Sequence, residues 1–333
     1  MTRHLLAALV CAVALQSAFV YAGEPGDLLR KAIRERRAKA VKTETAQKAP
    51  AEKIKALIID GQNNHNWRAT TPVLKDILEK SGRFSVDVAT APTKKDKEAD
   101  AEKYKKDLAS FKPDFAKYDV IVGNYNSSET GDEWSDETRK AFDGFIKNGG
   151  GYVSYHAADN SFRHWESYHK IIGVAGWYKD ANTFGKYVFW KDGKQVEETT
   201  PGRCGSHGPQ HEFLITVRDP NHPITKGLPA QFMHCKDELY DSLRGPGENL
   251  SIKATAFAAK DKGGTDKDEP MLMTIEYGKG RVFHTTLGHA AEMLRSVSFI
   301  TTFLRGTEWS ATGKVTIPVP DDFPGKEKPA FRQ

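Results

Sequence analysis

The chain has 333 residues, 38% of them hydrophobic and 28% charged, and 49 lysines and arginines against 44 acids leave a formal charge of +5. That length and apolar content can build a sizeable core, and so small a positive excess carries no nucleic-acid footprint. Three cysteines, one of them at position 11, exclude a disulfide-stapled scaffold.

Met1-Thr2-Arg3-His4 is positively charged, Leu5 to Leu15 is apolar, and Val20-Tyr21-Ala22 supplies small residues at cleavage spacing. Residues 1–22 therefore read as a secretory signal peptide. Cys11 lies early in the apolar core, which favours free export over a lipid anchor. No later run approaches the roughly 20 apolar residues that a membrane helix needs. The expectation is an exported soluble protein, periplasmic or extracellular, in which Cys204 and Cys235 form one disulfide if their separation allows it.

Residues 23–53 are rich in Lys, Arg, Ala and Glu and can bury almost nothing, so they are expected to be a charged lead-in, partly helical or disordered. The globular domain is expected over 54–310. Residues 311–333, Pro-rich from Thr316, read as an irregular tail. Within the domain, strand-like runs (Ala56 to Asp60, Phe84 to Ala89, Val120 to Gly123, Tyr152 to Tyr155) alternate with helix-like ones (Thr71 to Lys80, Ala101 to Ser110, Asp136 to Asn148). This alternation predicts parallel βαβ units. The helical runs carry apolar residues at helical recurrence, as at Val73, Ile77 and Leu78 or Phe142, Phe145 and Ile146. The second half is less regular, with strands predicted at Phe213 to Arg218, Ser251 to Ala256, Met271 to Ile275 and Val282 to Thr286, then a helix within Ala290 to Trp309.

Three of the apolar runs end on histidine-bearing polar clusters. The first continues into Asp60-Gly61-Gln62-Asn63-Asn64-His65, the glycine-rich strand 149–155 ends on His156, and the strand through Phe283 leads to Gly288-His289. In open α/β sheets ligands bind outside the carboxyl ends of the strands, so the three histidines predict one polar crevice. His284, inside its strand, reads as a core residue. Trp67, on an otherwise polar loop, has no obvious core to fill.

Several motifs together resemble the ThuA-like (trehalose-utilisation) family: Asp60 to Trp67, the strand ending in His156, Asp219-Pro220-Asn221-His222-Pro223 through Pro229, Asp237-Glu238-Leu239-Tyr240, and Gly278 to Phe283. The resemblance implies an α/β, flavodoxin-like three-layer sandwich with a mostly parallel central sheet, related to class I glutamine amidotransferases. Those enzymes carry a nucleophilic cysteine at the turn after a strand, and the corresponding residue here is His156. Cysteine-type acyl transfer is therefore not supported.

The candidate catalytic residues are His156, His289 and Glu238, with Glu238 resting partly on the resemblance. Candidate substrate-binding residues are Asn63, His65, Trp67, Asp159 and Trp177, with Asp159 able either to orient the His156 ring or to cap a helix. His65, His156 and His289 are also candidate ligands for a divalent metal such as zinc. A zinc set of Cys204, His207, His211 and Cys235 has usable spacing but falls in a glycine-rich loop that matches no zinc pattern. With the resemblance, these residues point to lyase or hydrolase chemistry on oxidised (3-keto) glycosides, with a small carbohydrate as partner. A non-catalytic sugar-binding or interaction module and an amidase-type hydrolase are the alternatives.

Overall fold

The first strand, β1 (Ile54–Asp60), is buried without a break from Ala56 to Asp60, which marks a strand inside a parallel sheet covered on both faces. β2 (Phe84–Thr90) and β3 (Val120–Gly123) flank it in parallel, and β4 (Gly151–Tyr155) and β14 (Gly280–Thr285) continue the sheet, giving the parallel order β2-β1-β3-β4-β14. The computed structural model describes residues 35, 52–94, 100–128, 132–178 and 184–332. The chain divides into two units, Met1–Glu52 and Lys53–Gln333. The sheet belongs to the second, whereas the expected leader and nearly all of the charged lead-in lie outside the described residues.

Alternate residues of β1 feed two cores. Ala56 and Ile58 share one with Leu74 and Leu78 of α1 (Trp67–Lys80) and Phe299 and Phe303 of α5 (Val297–Thr312). Leu57 and Ile59 share the other with Tyr104 of α2 (Ala101–Ala109), Phe142 and Ile146 of α3 (Asp136–Lys147) and Ile171 of α4 (Glu166–Ile172). The result is the expected flavodoxin-like three-layer arrangement. Capping sets the helix starts: the side chains of Asn66, Ser135 and Ser296 each accept from the backbone N–H three residues on.

Beyond β14 the sheet turns antiparallel through β13 (Lys267–Tyr277), β12 (Leu250–Ala258), β8 (His211–Val217) and β9 (Gln231–Asp237). A hairpin of β5 (Lys186–Lys191) and β6 (Lys194–Glu198) branches from β13. Of the strands predicted in the second half, Val282 to Thr286 is β14 and the other three fall in this wing, but β5, β6, β9 and α4 were not foreseen. β6 is a polar edge strand, β9 buries a histidine among its apolar residues, and α4 is too short to show a period.

The tail beyond residue 313 has no helix yet is tied down: buried Glu308 accepts from the amides of Thr316 (2.7 Å) and Ile317 (3.0 Å). Cys204 and Cys235 are separate buried thiols, not a disulfide. Among the described helices none is long and apolar enough to cross a membrane.

Gly61, which turns the chain out of β1 toward His65, has φ +120° and would place a Cβ 2.1 Å from the Ala91 carbonyl oxygen. Gly61→Ala should therefore lower stability by about 2 kcal/mol or more, as measured by urea unfolding. A loss below about 0.5 kcal/mol would contradict the close backbone approach.

Candidate active site

Four strand ends converge. After β1, the Asn63 side chain accepts from the His65 amide (2.9 Å) and reaches Asn124 Oδ1 and the Asn124 carbonyl (3.4 Å each). After β3, Asn126 donates to Asn64 Oδ1 (2.6 Å), joining the two loops. After β4, His156 sits at φ +44°, a strained left-handed turn of the kind that presents a reactive side chain above an α/β sheet. After β14, Gly288 has φ +99°, and a Cβ there would lie 2.8 Å from Leu294, Phe299 and Tyr155. Only glycine lets this loop pack so closely, and it delivers His289 to the same point.

The three histidines meet edge to face, with ring centroids 4.9 Å apart for His65 and His156, 4.8 Å for His65 and His289, and 5.7 Å for His156 and His289. Glu238 lies among them. Its Oε1 is 3.2 Å from His289 Nε2, and its Oε2 is 3.7 Å from His156 Nε2 and 3.6 Å from His207 Nε2. His207 arrives on β7 (Ser206–His207), which pairs with β10 (Tyr240–Asp241), His207 opposite Tyr240. Glu238, His65, His207, Tyr240 and Trp177 line a cavity of about 250 Å³ together with Asn64, Asn160 and Ser128. A larger concavity of about 630 Å³ lies where the chain enters β3 and β4, at the opposite end of these strands, and its polar lining, Asp114, Asp119, Lys140 and Asn148 among it, includes no histidine. The smaller cavity is the candidate site, because it stands at the carboxyl ends of the parallel strands.

Hydrogen bonds fix the state of His156. Its Nδ1 donates to the Thr286 carbonyl (2.7 Å), leaving Nε2 to accept from the Tyr240 hydroxyl (2.8 Å). Burial, reinforced by the neighbouring His65, pushes His156 down to about 3. Burial together with His289 and His207 pushes His65 down to about 4. Both rings are therefore neutral near pH 7. Burial raises Glu238 against the opposing pull of His207 and His289, and burial holds Tyr240 protonated, well above its usual range.

Behind the cavity, Asp237 accepts from the amides of Gly288 (2.7 Å), His289 (3.1 Å) and Glu238 (2.9 Å), and from His234 Nε2 (2.9 Å). Burial opposes its ionisation, yet the His234 bond and charge hold it below the usual carboxylate range. Burial likewise opposes charge on His234, but the Asp237 bond outweighs it and raises His234 to about 9. Gln210 adds a contact of 3.0 Å to His289 Nδ1.

The family model for ThuA, described as trehalose utilisation, matches residues 55–310. The chain belongs to the ThuA family. A ThuA-like protein from Parabacteroides merdae ATCC 43184 is 44% identical, with a TM-score of 0.77 over 84% of this chain and 98% of that one. A second, from Bacteroides uniformis ATCC 8492, is 21% identical, with a TM-score of 0.52 over 82% and 96% of the two chains. No curated relative matches.

In this ThuA protein the structure brings together His65, His156, His289, Glu238 and Trp177, all singled out in the sequence. Trp177 adopts φ +58° and packs its ring 4.4 Å from that of Tyr240. Three other candidates stand elsewhere. The Asn63 amide is consumed in bracing the His65 loop, so it positions His65 instead of lining the cavity. Trp67 opens α1 and stacks with the Arg68 guanidinium at 4.3 Å, outside the cavity lining. Asp159 is fully buried 3.4 Å from His284 Nε2, longer than a well-formed hydrogen bond, and neither caps a helix nor touches His156. His284 is the expected core residue, its Nδ1 bonded to the Ile172 carbonyl (2.9 Å). The four-residue zinc set does not assemble: Cys204 faces the Ala175 carbonyl and His211 the Pro209 carbonyl. Among the described residues, the groups whose ligand atoms approach closely enough for an ion are His65, His156 and Glu238, and His234, Cys235 and Asp237.

Sequence reasoning missed Tyr240, His207 and the His234–Asp237 pair as parts of the site. The pair has a pH signature. Since His234 is raised from its usual 6.5 to about 9, its contribution to stability is complete below pH about 6.5 and is lost as pH rises through about 9. Urea unfolding should show stability falling over that window in the native chain. His234→Gln should cost about 3 kcal/mol at neutral pH and flatten the slope. Equal slopes in the two chains would contradict the pairing.

Proposed function

We propose that this ThuA protein is an exported carbohydrate-processing enzyme that cleaves oxidised (3-keto) glycosides by removing the proton next to the ketone. The observation that carries the reading is Glu238, a buried carboxylate of raised proton affinity ringed by His156, His207 and His289 in a cavity of about 250 Å³. A ketone at C3 acidifies the C2 hydrogen, so a base of modest strength suffices. The Glu238–His289 pair takes that proton and the Tyr240 hydroxyl turns from His156 Nε2 to the developing enolate oxygen. The enolate then forms the C1–C2 double bond as the C1–O bond breaks. The departing alkoxide takes a proton from the Glu238–His289 pair, and hydration of the product gives the free keto sugar.

The histidine at the elbow supports this choice over acyl transfer, since neutral His156 with Nδ1 committed to Thr286 is an acceptor and not a thiol nucleophile. Its affinity for protons, pushed down to about 3, also makes it a weaker base than Glu238, so the proton-accepting role falls to the latter. Trp177 and Tyr240, at 4.4 Å, offer an apolar wall against which a sugar face can stack. The charged, apolar and small-residue pattern of residues 1–22 supports export.

Mass spectrometry of aglycone release from matched native and 3-keto glycosides tests the reading. Release is expected from the keto substrates alone, and Glu238→Gln should slow it by about 100-fold or more. Release from both substrate types at equal rates, or full activity in Glu238→Gln, would overturn it.

A further inference from the structure

The corner of the cavity shared by His65, His156 and Glu238 holds a group that proton transfer leaves unused. Nδ1 of His65 is buried and has no hydrogen-bond partner among the described residues, although an unsatisfied buried nitrogen is costly. The Asn63 side chain accepts from the His65 amide and so fixes the backbone that carries this ring.

We propose that His65 Nδ1, His156 Nε2 and one Glu238 oxygen bind a divalent first-row transition ion of the zinc class. The inference deepens the functional reading above, which leaves the electrophile to Tyr240 alone. Ligand atoms of the three residues lie within 4.8 Å of one another, and Glu238 Oε2 is 3.7 Å from His156 Nε2. An ion with bonds of roughly 2.0–2.2 Å spaces tetrahedral ligands about 3.5 Å apart, so only small rotations of these side chains are required. Two imidazoles and one carboxylate leave positions open for a substrate oxygen, the pattern of catalytic and not structural ions.

The surrounding groups match that use. The Thr286 carbonyl accepts from His156 Nδ1 and thereby aims the Nε2 lone pair inward, as a supporting partner of a metal-bound histidine does. Glu238 keeps Oε1 beside His289 Nε2 at 3.2 Å while Oε2 faces the corner. Two groups compete for these atoms: the Tyr240 hydroxyl occupies His156 Nε2, and His207 Nε2 stands 3.6 Å from Glu238 Oε2. The other close group, His234, Cys235 and Asp237, is a poorer site. Both His234 nitrogens are already bonded, to Ser298 and Asp237, and all three residues are buried away from the cavity.

The test is direct binding to the full chain, stripped with chelator and titrated with cobalt(II) and then zinc. Visible cobalt absorption and elemental analysis after dialysis give the readout. One equivalent per chain is expected. His65→Asn and Glu238→Gln, checked for native circular dichroism so that either can carry the test, should each weaken binding by roughly 100-fold or more. Tyr240→Phe, which removes the competing hydrogen bond, should bind at least as tightly as the native chain, and His211→Ala should be unchanged. Less than stoichiometric retention, or unaltered affinity in the His65 and Glu238 variants, would overturn the site. Aglycone release without a stoichiometric ion would remove the ion and leave the reaction, whereas a bound ion without release would remove the reaction and leave the ion.

Discussion

Asp237 is a carboxylate shut away from water, with the amides of Glu238, Gly288 and His289 and the His234 ring all donating to it. A charge in that position is tolerable only because these donors surround it. The same bonds dock the loop after β14 onto the end of β9. They fix where the Glu238 carboxylate and the His289 ring can be, and so the distance of 3.2 Å between them. His65 and His156 are brought up from the other side by the ends of β1 and β4. The site is therefore a seam between the parallel half of the sheet and its antiparallel wing, closed by one buried ion pair.

The parallel half was legible in the sequence because its strands are short apolar runs that stop abruptly. Each stop placed a polar cluster at a carboxyl end, and for His65, His156 and His289 the inference to a shared crevice needed only the rule for open sheets. The wing was less legible. β9 carries His234 and Lys236 within a strand of mixed polarity, so neither a period of two nor an apolar run marks it clearly. Tyr240 and His207 meet only because two-residue strands pair across 33 positions of chain, a contact that no local pattern reports. Asn63, Trp67 and Asp159 have the right chemistry in the right segments, but one amide is spent on the loop, one indole stacks on its neighbour and one carboxylate turns into the core. Residue type located the loops, and only packing could say which side chains point into the cavity.

The family relationship and the fold are compatible with several chemistries. What narrows them is the combination at the elbow and the seam. The left-handed turn that could present a nucleophile presents a neutral imidazole, and beside it stands a carboxylate of raised proton affinity, Glu238, 3.7 Å from His156 Nε2. The proposed reaction uses this set to move a proton on carbon, and a ketone beside that carbon is what would make the proton removable near neutral pH.

The most direct measurement follows a 3-keto glycoside deuterated at C2 through cleavage by the full chain, with the label read by NMR. Proton abstraction next to the ketone requires the deuterium to pass to water and the cleavage to slow relative to the unlabelled substrate. Aglycone released with the C2 label fully retained would contradict the mechanism.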